Sequence, residues 1–296
     1  MNPKLPGGMI CPLAVPLDDD ENLDVVGLRR LLDYVLPEVD GIFVLGSTGE
    51  FAHLTERVAE QVVEVALEYV NGKVPFYVGV SEAGTRRAVE LLRRAQRPGI
   101  DFVVACSSYY YAFNNQTALK EHFVRIADAS PVPVILYNIP QNTAMNLTPA
   151  SVQELARHPN IIGLKDSKGD LFQFQEFLSI RPEGFVVMQG REQLAAVSLW
   201  AGADGIVSAL PNIAPKMLPR LAKAVRENNR EAALAAQREV TRIAQIFDQG
   251  HWLSGLKAAL RELGIGNGKA AQPIPVCTSE QIVTIRQLLA EAQLIP

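Results

Sequence analysis

The chain has 296 residues, of which 48% are hydrophobic and 20% are charged. This length and composition are typical of a globular protein that buries one large core or two smaller ones. The formal net charge of −4 gives no electrostatic reason for a nucleic acid or an anionic membrane to be the partner, so any anionic substrate must be held by local groups.

The amino-terminal segment and the cysteines indicate the compartment. The segment MNPKLPGGMI lacks the apolar stretch of a signal peptide, and no apolar run approaches the roughly 18 residues of a membrane helix. Cys11, Cys106 and Cys277 lie far apart, which favours reduced thiols over a disulfide framework. The histidines show no metal-binding spacing. We therefore expect a cytoplasmic protein without a metal site.

Eight short apolar runs alternate with amphipathic segments along the chain. Each run is apolar throughout rather than at alternate positions, which is typical of parallel strands covered on both faces. The runs that we predict to be strands are Met9–Val15, Gly41–Leu45, Val74–Val80, Asp101–Ala105, Val134–Asn138, Ile161–Lys165, Phe185–Gln189 and Gly205–Ser208.

The amphipathic segments predict helices between these strands. In Thr55–Val70, the apolar side chains of Val58, Val62 and Ala66 recur four residues apart and so share one helical face. Thr55 is a suitable N-cap, because its hydroxyl can accept a hydrogen bond from an unpaired N–H of the first turn.

A weak repeat marks the start of three of the strands: Val39-Asp40-Gly41-Ile42, Ile100-Asp101-Phe102 and Ala203-Asp204-Gly205-Ile206. Each unit is one strand and one helix, about 30 residues long. Eight such units predict the α/β class and a (β/α)8 TIM barrel. A doubly wound open sheet is the alternative, although the GxGxxG pattern that often follows its first strand is absent.

The composition changes after the eighth strand. The chain becomes rich in Ala, Arg, Leu and Glu and predicts helices near Lys216–Glu227, Arg230–Asp248, Trp252–Leu263 and Ser279–Gln293. The first of these closes the barrel, so that residues 1–224 form the barrel with its catalytic site. Residues 225–296 form a C-terminal helical extension, which we expect to support assembly more than chemistry.

Lys165 is the strongest candidate for a reactive group. The uncharged residues Ile161–Leu164 end abruptly at Lys165, and a polar turn follows, which places the amine at the mouth of a core. Desolvation there lowers the pKa of a lysine and frees the amine as a nucleophile towards a carbonyl. The alternative is a lysine that extends from a strand end into solvent.

Other polar groups also follow predicted strands, at the end of the barrel where active sites lie. Gly46–Glu50 can turn backbone N–H groups towards a carboxylate, although an ordinary loop is equally compatible. Tyr109–Tyr111 follow the fourth strand and are also compatible with packing at an interface. Tyr137 ends the strand next to that of Lys165. A lysine, a phenol and an anion-binding loop together indicate a Schiff-base lyase acting on a 2-oxo acid.

Three motifs in this order, GSTGE, YNIP and GLKDS, resemble the dihydrodipicolinate synthase and N-acetylneuraminate lyase family of class I aldolases. The resemblance runs from about Met9 through the C-terminal helices. It implies a barrel with a three-helix C-terminal region, a homotetramer built from two tight dimers, pyruvate as a substrate, and no metal or organic cofactor.

The resemblance also implies roles for individual residues. Lys165 would form the Schiff base, and Tyr137 would move protons. Ser47 would link Tyr137 to the partner subunit's Tyr111, and Thr48, with the amides of Ser47 and Thr48, would hold the substrate carboxylate. The other residues assigned to substrate binding are Gly49, Asn142, Gly190, Arg191 and Ser208.

The chain departs from two members of the family at substrate-binding positions. Dihydrodipicolinate synthases carry an arginine for aspartate semialdehyde where this chain has Asn142, and N-acetylneuraminate lyases carry an acidic residue where it has Arg191. Glu50-Phe51, Asn142-Thr143 and His158–Ile161 are more similar to 4-hydroxy-2-oxoglutarate and 2-keto-3-deoxy-sugar-acid aldolases.

We therefore predict a lyase that makes or cleaves a C–C bond of a small 4-hydroxy-2-oxo acid. Arg191 would select a substrate with a second carboxylate, because a guanidinium binds carboxylates better than neutral polyols. A surface ion pair with Glu192 is the alternative interpretation of Arg191. The alternative enzyme is dihydrodipicolinate synthase, and a non-catalytic regulator that binds 2-oxo acids is a third possibility.

Overall fold

The computed structural model describes residues 6–113 and 115–296. Within them, eight parallel strands close into a barrel in the order in which they occur along the chain. The strands are β1 (Gly8–Pro12), β2 (Gly41–Val44), β3 (Phe76–Gly79), β4 (Phe102–Cys106), β5 (Val134–Asn138), β6 (Ile161–Asp166), β7 (Val186–Gln189) and β8 (Gly205–Val207). The predicted (β/α)8 barrel is confirmed, and the open sheet is excluded.

Helices lie between the strands and continue after the last one. The α-helices of the described residues are α1 (Val25–Val35), α2 (Glu56–Val70), α3 (Thr85–Ala95), α4 (Gln116–Ala129), α5 (Pro140–Thr143), α6 (Pro149–Leu155), α7 (Leu171–Ile180), α8 (Ala195–Trp200), α9 (Met217–Arg226), α10 (Arg230–Ile243), α11 (Trp252–Glu262) and α12 (Ser279–Glu291). In α2, the Thr55 hydroxyl caps the N–H of Val58, and the predicted apolar face is buried.

The first strand is shorter than its apolar run. β1 ends at Pro12, whereas the run continues to Val15. Leu13, Ala14 and Val15 are fully buried, but the N–H of Ala14 donates to the side chain of Asn212 rather than to a neighbouring strand. The apolar run thus predicted burial correctly and strand pairing only in part.

The repeated aspartates set the register at the amino-terminal end of the barrel. An aspartate directly precedes three of the strands: Asp40 before β2, Asp101 before β4 and Asp204 before β8. Each aspartate makes two hydrogen bonds to a single residue of the preceding strand. One carboxylate oxygen of each accepts the N–H of Met9, Phe76 or Val187, at 2.8, 2.8 and 2.7 Å. The N–H of each aspartate donates to the carbonyl of the same residue, at 2.8, 3.0 and 2.9 Å. The sequence repeat is therefore a repeated clamp between neighbouring strands.

The C-terminal helices share the largest buried apolar cluster with the barrel. Leu13 and Ile42 of the barrel belong to the same cluster as Leu256 of α11 and Ile285 of α12. The division of the chain at residue 224 stays a prediction.

The three cysteines are free, as expected. None of the described helices is both long and apolar enough to span a membrane. Residues 1–5, the start of the segment used to judge export, lie outside the described residues.

Candidate active site

Tyr137 and Lys165 lie side by side at the carboxyl ends of β5 and β6. They are register partners on neighbouring parallel strands, so both point to the same face of the sheet. Both are buried, with exposed fractions of 4% and 5%. The Lys165 amine lies 3.9 Å from the centre of the Tyr137 ring and 5.2 Å from that of Phe43. The barrel thus brings an amine and a phenol together at one point.

The surroundings of Lys165 favour its neutral form. Burial lowers its pKa from the usual 10.5 to about 7; Cys106 and Glu192 partly oppose this shift, and the Arg191 charge adds to it. At pH 7 about half of the amines are then neutral, against roughly one in a few thousand for an unperturbed lysine. The neutral amine carries the lone pair that attacks a carbonyl. Lys165 is therefore a buried amine with a lowered pKa rather than a lysine extended into solvent.

Tyr137 is held as a protonated phenol. Burial raises its pKa to about 12, although hydrogen bonds with Ser47 and Ser167 oppose the shift. Its hydroxyl lies 3.4 Å from the Ser47 hydroxyl. A phenol of this kind can give a proton to a leaving hydroxide and take one back, because it remains within hydrogen-bond reach of other hydroxyls.

The loop after β2 forms a tight turn beside these two residues. Ser47–Gly49 make one turn of 3-10 helix, and Leu45 and Glu50 on either side both have φ of 56°. A Cβ atom on Gly46 would lie 2.7 Å from the Phe43 ring, so only glycine fits there. Strained conformations of this kind in non-glycine residues are enriched at functional sites.

A cavity of about 280 Å³ opens over Lys165. Seven of the ten predicted site residues line it: Ser47, Thr48, Tyr137, Asn142, Lys165, Gly190 and Arg191. Among residues 6–113 and 115–296, no three His, Cys, Asp or Glu residues are grouped so that they could hold a metal ion.

The other three predicted residues lie elsewhere. Gly49 is buried within the turn. The Ser208 hydroxyl donates to Glu192 at 2.8 Å and accepts from the N–H of Leu210, so it lies behind Glu192. Tyr111 lies on the surface with 77% of its area exposed and packs edge-to-face against Tyr110.

The family model described as "Dihydrodipicolinate synthetase family" matches residues 5–292. The chain belongs to this family. Its members are class I, Schiff-base-forming carbon–carbon lyases, and the chain is an enzyme of this class. The resemblance that the three motifs indicated is confirmed over nearly the whole chain.

Curated relatives carry one recurrent name. The 4-hydroxy-tetrahydrodipicolinate synthase of Methylococcus capsulatus is 31% identical over 287 residues, which cover 96% of this chain and 98% of the relative. The protein of the same name from Methanospirillum hungatei is 34% identical over 276 residues, covering 91% of this chain and 93% of the relative.

Solved structures of the family have the same fold. YagE from Escherichia coli K12, a prophage protein described in complex with pyruvate, superposes with a TM-score of 0.92 at 29% identity and covers 98% of this chain and 99% of its own. Dihydrodipicolinate synthase from Bacteroides thetaiotaomicron gives 0.91 at 32% identity, with coverages of 98% and 100%.

Arg191 and Glu192 have separate partners in this member of the family. The Arg191 Nε donates to the carbonyl of Ser167 at 3.0 Å, whereas Glu192 accepts from Ser208 and is 8% exposed. Both line the cavity. A simple surface ion pair between them therefore does not describe their arrangement.

Several cavity residues escaped the sequence analysis. Ser167 follows Lys165 by two residues, bonds to Tyr137 and lines the cavity; its place in the GLKDS motif was the available signal. Phe247, Asp248 and Trp252 also line the cavity. They come from the chain after the barrel, where reasoning from strand ends gives no signal.

A second pair of polar residues lies next to Tyr137 and Lys165 on the same two strands. Asn138 follows Tyr137, Asp166 follows Lys165, and the Asn138 amide donates to Asp166 at 2.7 Å. Both are fully buried. Burial raises the pKa of Asp166 to about 6, with Asn138 opposing the shift. This bond ties β5 to β6 beside the point where Tyr137 and Lys165 meet.

Proposed function

We propose that the chain binds pyruvate as a Schiff base on Lys165 and makes or breaks a carbon–carbon bond at the resulting enamine. The observation that carries the proposal is the buried Lys165 amine, with a pKa of about 7, beside the Tyr137 phenol in the cavity. Membership of the dihydrodipicolinate synthetase family supports it.

The first steps form the imine. The neutral Lys165 amine adds to the ketone carbon of pyruvate, and the carbinolamine loses water as Tyr137 gives a proton to the leaving hydroxyl. The Thr48 hydroxyl and the amides of Ser47 and Thr48 hold the pyruvate carboxylate meanwhile.

The protonated imine then acts as an electron sink. The Tyr137 phenolate takes a proton from the methyl carbon, and the resulting enamine adds to an aldehyde; in the reverse direction, cleavage of that bond releases the aldehyde. Tyr137 gives a proton to the new alkoxide or takes it from the hydroxyl. Hydrolysis of the imine frees the product, and no step requires a metal or organic cofactor.

Aspartate semialdehyde is the first candidate for the partner of pyruvate. The curated relatives named 4-hydroxy-tetrahydrodipicolinate synthase are 31% and 34% identical over more than nine-tenths of the chain. These relatives favour the synthase over the cleavage of a 4-hydroxy-2-oxo acid, which the short motifs ranked first.

A 4-hydroxy-2-oxo acid is the second candidate substrate, and two cavity residues favour it. Asn142 lines the cavity at the position where the resemblance assigns an arginine to the synthases, and the Arg191 guanidinium lines the same cavity. Arg191 would bind the far carboxylate of a substrate such as 4-hydroxy-2-oxoglutarate.

Three measurements on the purified chain test these alternatives. Borohydride with pyruvate should add a reduced pyruvyl group to Lys165; no adduct, or one on Lys168, contradicts the Schiff base. A product formed from pyruvate and aspartate semialdehyde identifies a synthase. Release of pyruvate from 4-hydroxy-2-oxoglutarate or 2-keto-3-deoxy acids identifies an aldolase. If pyruvate binds but neither reaction occurs, the chain is the non-catalytic regulator that binds 2-oxo acids.

We also propose that a second copy of the chain completes the site. Tyr110 and Tyr111 expose 83% and 77% of their area, which is unusual for large aromatic side chains unless another surface covers them. The partner subunit's Tyr111 would reach Ser47, as the resemblance implies, within a homotetramer. Light scattering should give the mass of four chains; a monomer with full activity contradicts this proposal.

A further inference from the structure

A buried ion pair joins the loop after β2 to the C-terminal helices. Glu50 follows the turn Ser47–Gly49, and its Oε1 atom lies 2.6 Å from the Nζ atom of Lys257 in α11. The exposed fractions of the two side chains are 0% and 3%. The other carboxylate oxygen of Glu50 accepts the N–H of Ala271 at 2.6 Å. Both oxygens of Glu50 are thus held by residues that follow the barrel.

The backbone at Glu50 is strained as well. Glu50 has φ of 56° and ψ of 29°, the left-handed conformation in which glycine is most stable, and its N–H closes the turn on the carbonyl of Ser47 at 3.1 Å. A glutamate here adds backbone strain to the desolvation of a charge. A requirement for its side chain explains why glycine does not occupy this position.

Lys257 also contacts the loop after β1. Its amine donates to the carbonyl of Val15. Gly49 lies against this loop, since a Cβ atom on Gly49 would lie 3.1 Å from the Leu13 carbonyl and 3.7 Å from the Val15 side chain. The Lys257 ammonium group therefore links the loop after β1 to the loop after β2. Neither Glu50 nor Lys257 lines the Lys165 cavity.

We infer that Glu50 and Lys257 are positioning residues for the substrate carboxylate. Their ion pair fixes the turn so that the Thr48 hydroxyl and the amides of Ser47 and Thr48 keep the orientation that binds a 2-oxo acid. This inference rests on the proposed function and extends it, because it makes a helix outside the barrel a determinant of pyruvate affinity.

The experiment separates positioning from stability. The variants are Glu50→Gln, Lys257→Met and the double substitution, all in the full chain. The control is Lys269→Met, the same change at an exposed residue whose amine pairs with Asp19 at 2.7 Å. The quantity measured is the pyruvate concentration that gives half-maximal borohydride labelling of Lys165. Irreversibly inactivated protein lowers the maximum labelling but leaves this concentration unchanged, whereas reversible unfolding raises it equally for every ketone, with or without a carboxylate.

Each single substitution should raise the half-saturating pyruvate concentration by about 10- to 100-fold, the range expected when the displaced turn loses a charge-assisted hydrogen bond to the substrate carboxylate. The half-saturating pyruvate concentration of the double variant should not exceed that of the weaker-binding single variant, because both residues act through one contact. Lys269→Met should not change it. Hydroxyacetone, a ketone without a carboxylate, should label all variants with unchanged half-saturation.

Several results overturn the inference. These are an unchanged half-saturation for pyruvate, additive effects in the double variant, or the same shift with hydroxyacetone. If a single variant fails to fold, the double variant still decides, because it leaves no buried charge unpaired. No adduct on Lys165 in the unsubstituted chain instead rejects the proposed function, and the inference with it.

Discussion

The pH dependence of imine formation tests the electrostatic account of Lys165. Burial lowers the pKa of this lysine to about 7. At low pyruvate concentration, the rate of labelling is proportional to the neutral fraction of the amine. Between pH 5 and pH 6 the rate should therefore rise about tenfold, and above about pH 8 it should level off. An unperturbed lysine, with a pKa near 10.4, would still gain about tenfold per pH unit up to pH 9.

The magnitude distinguishes the two cases clearly. The buried amine is about half neutral at pH 7, so raising the pH to 9 can at most roughly double its rate, whereas an unperturbed amine gains nearly a hundredfold. The assay is the initial rate of reductive labelling by pyruvate, with the site located by peptide mass. A continued tenfold rise per pH unit between pH 8 and pH 9 would refute the argument from burial.

Two substitutions test the neighbours of Lys165. Tyr137→Phe should retain the trapped adduct while turnover falls by about two to four orders of magnitude, the usual contribution of general acid–base catalysis. Arg191→Ala should lower kcat/KM for dicarboxylate substrates by about 10- to 100-fold, because a charge-assisted hydrogen bond is lost, and should spare 2-keto-3-deoxy acids with neutral tails. Steady-state kinetics measure both effects.

The controls for these substitutions use the same assays. Turnover near that of the unsubstituted chain in Tyr137→Phe would remove the phenol from the mechanism. Equal effects of Arg191→Ala on both substrate classes, or no effect on either, would exclude the arginine as the group that selects the substrate.

The sequence was informative wherever a local pattern determines local structure. β5 spans the predicted residues Val134–Asn138, because a mostly apolar run of this short length with clear boundaries favours a buried strand over a helix. The strand that carries Lys165 was predicted for the same reason and extends one residue further, to Asp166. Neighbouring strands then place Tyr137 beside Lys165 without further information.

The remaining features depend on contacts between distant segments. Trp252 and Phe247 enter the cavity from the C-terminal helices, and no periodicity in their own segments indicates this. The same holds for Lys257, which reads as an ordinary helical lysine until its contact with Glu50 is known. The aldehyde substrate could not be predicted from the sequence either. Asn142 and Arg191 show where the chain differs from its relatives, but they do not identify the aldehyde.

The strand-entry aspartates divide the barrel into two-strand modules. Asp40, Asp101 and Asp204 link β2 to β1, β4 to β3 and β8 to β7, each joining an even-numbered strand to the odd-numbered strand before it. At the corresponding position before β6, Asn160 bonds instead to the carbonyls of Ala127 and Ser130. The barrel is therefore a ring of four similar quarters, of which three keep the clamp. None of the three clamps crosses the boundary between β4 and β5, so two of them lie within β1–β4 and one lies within β5–β8.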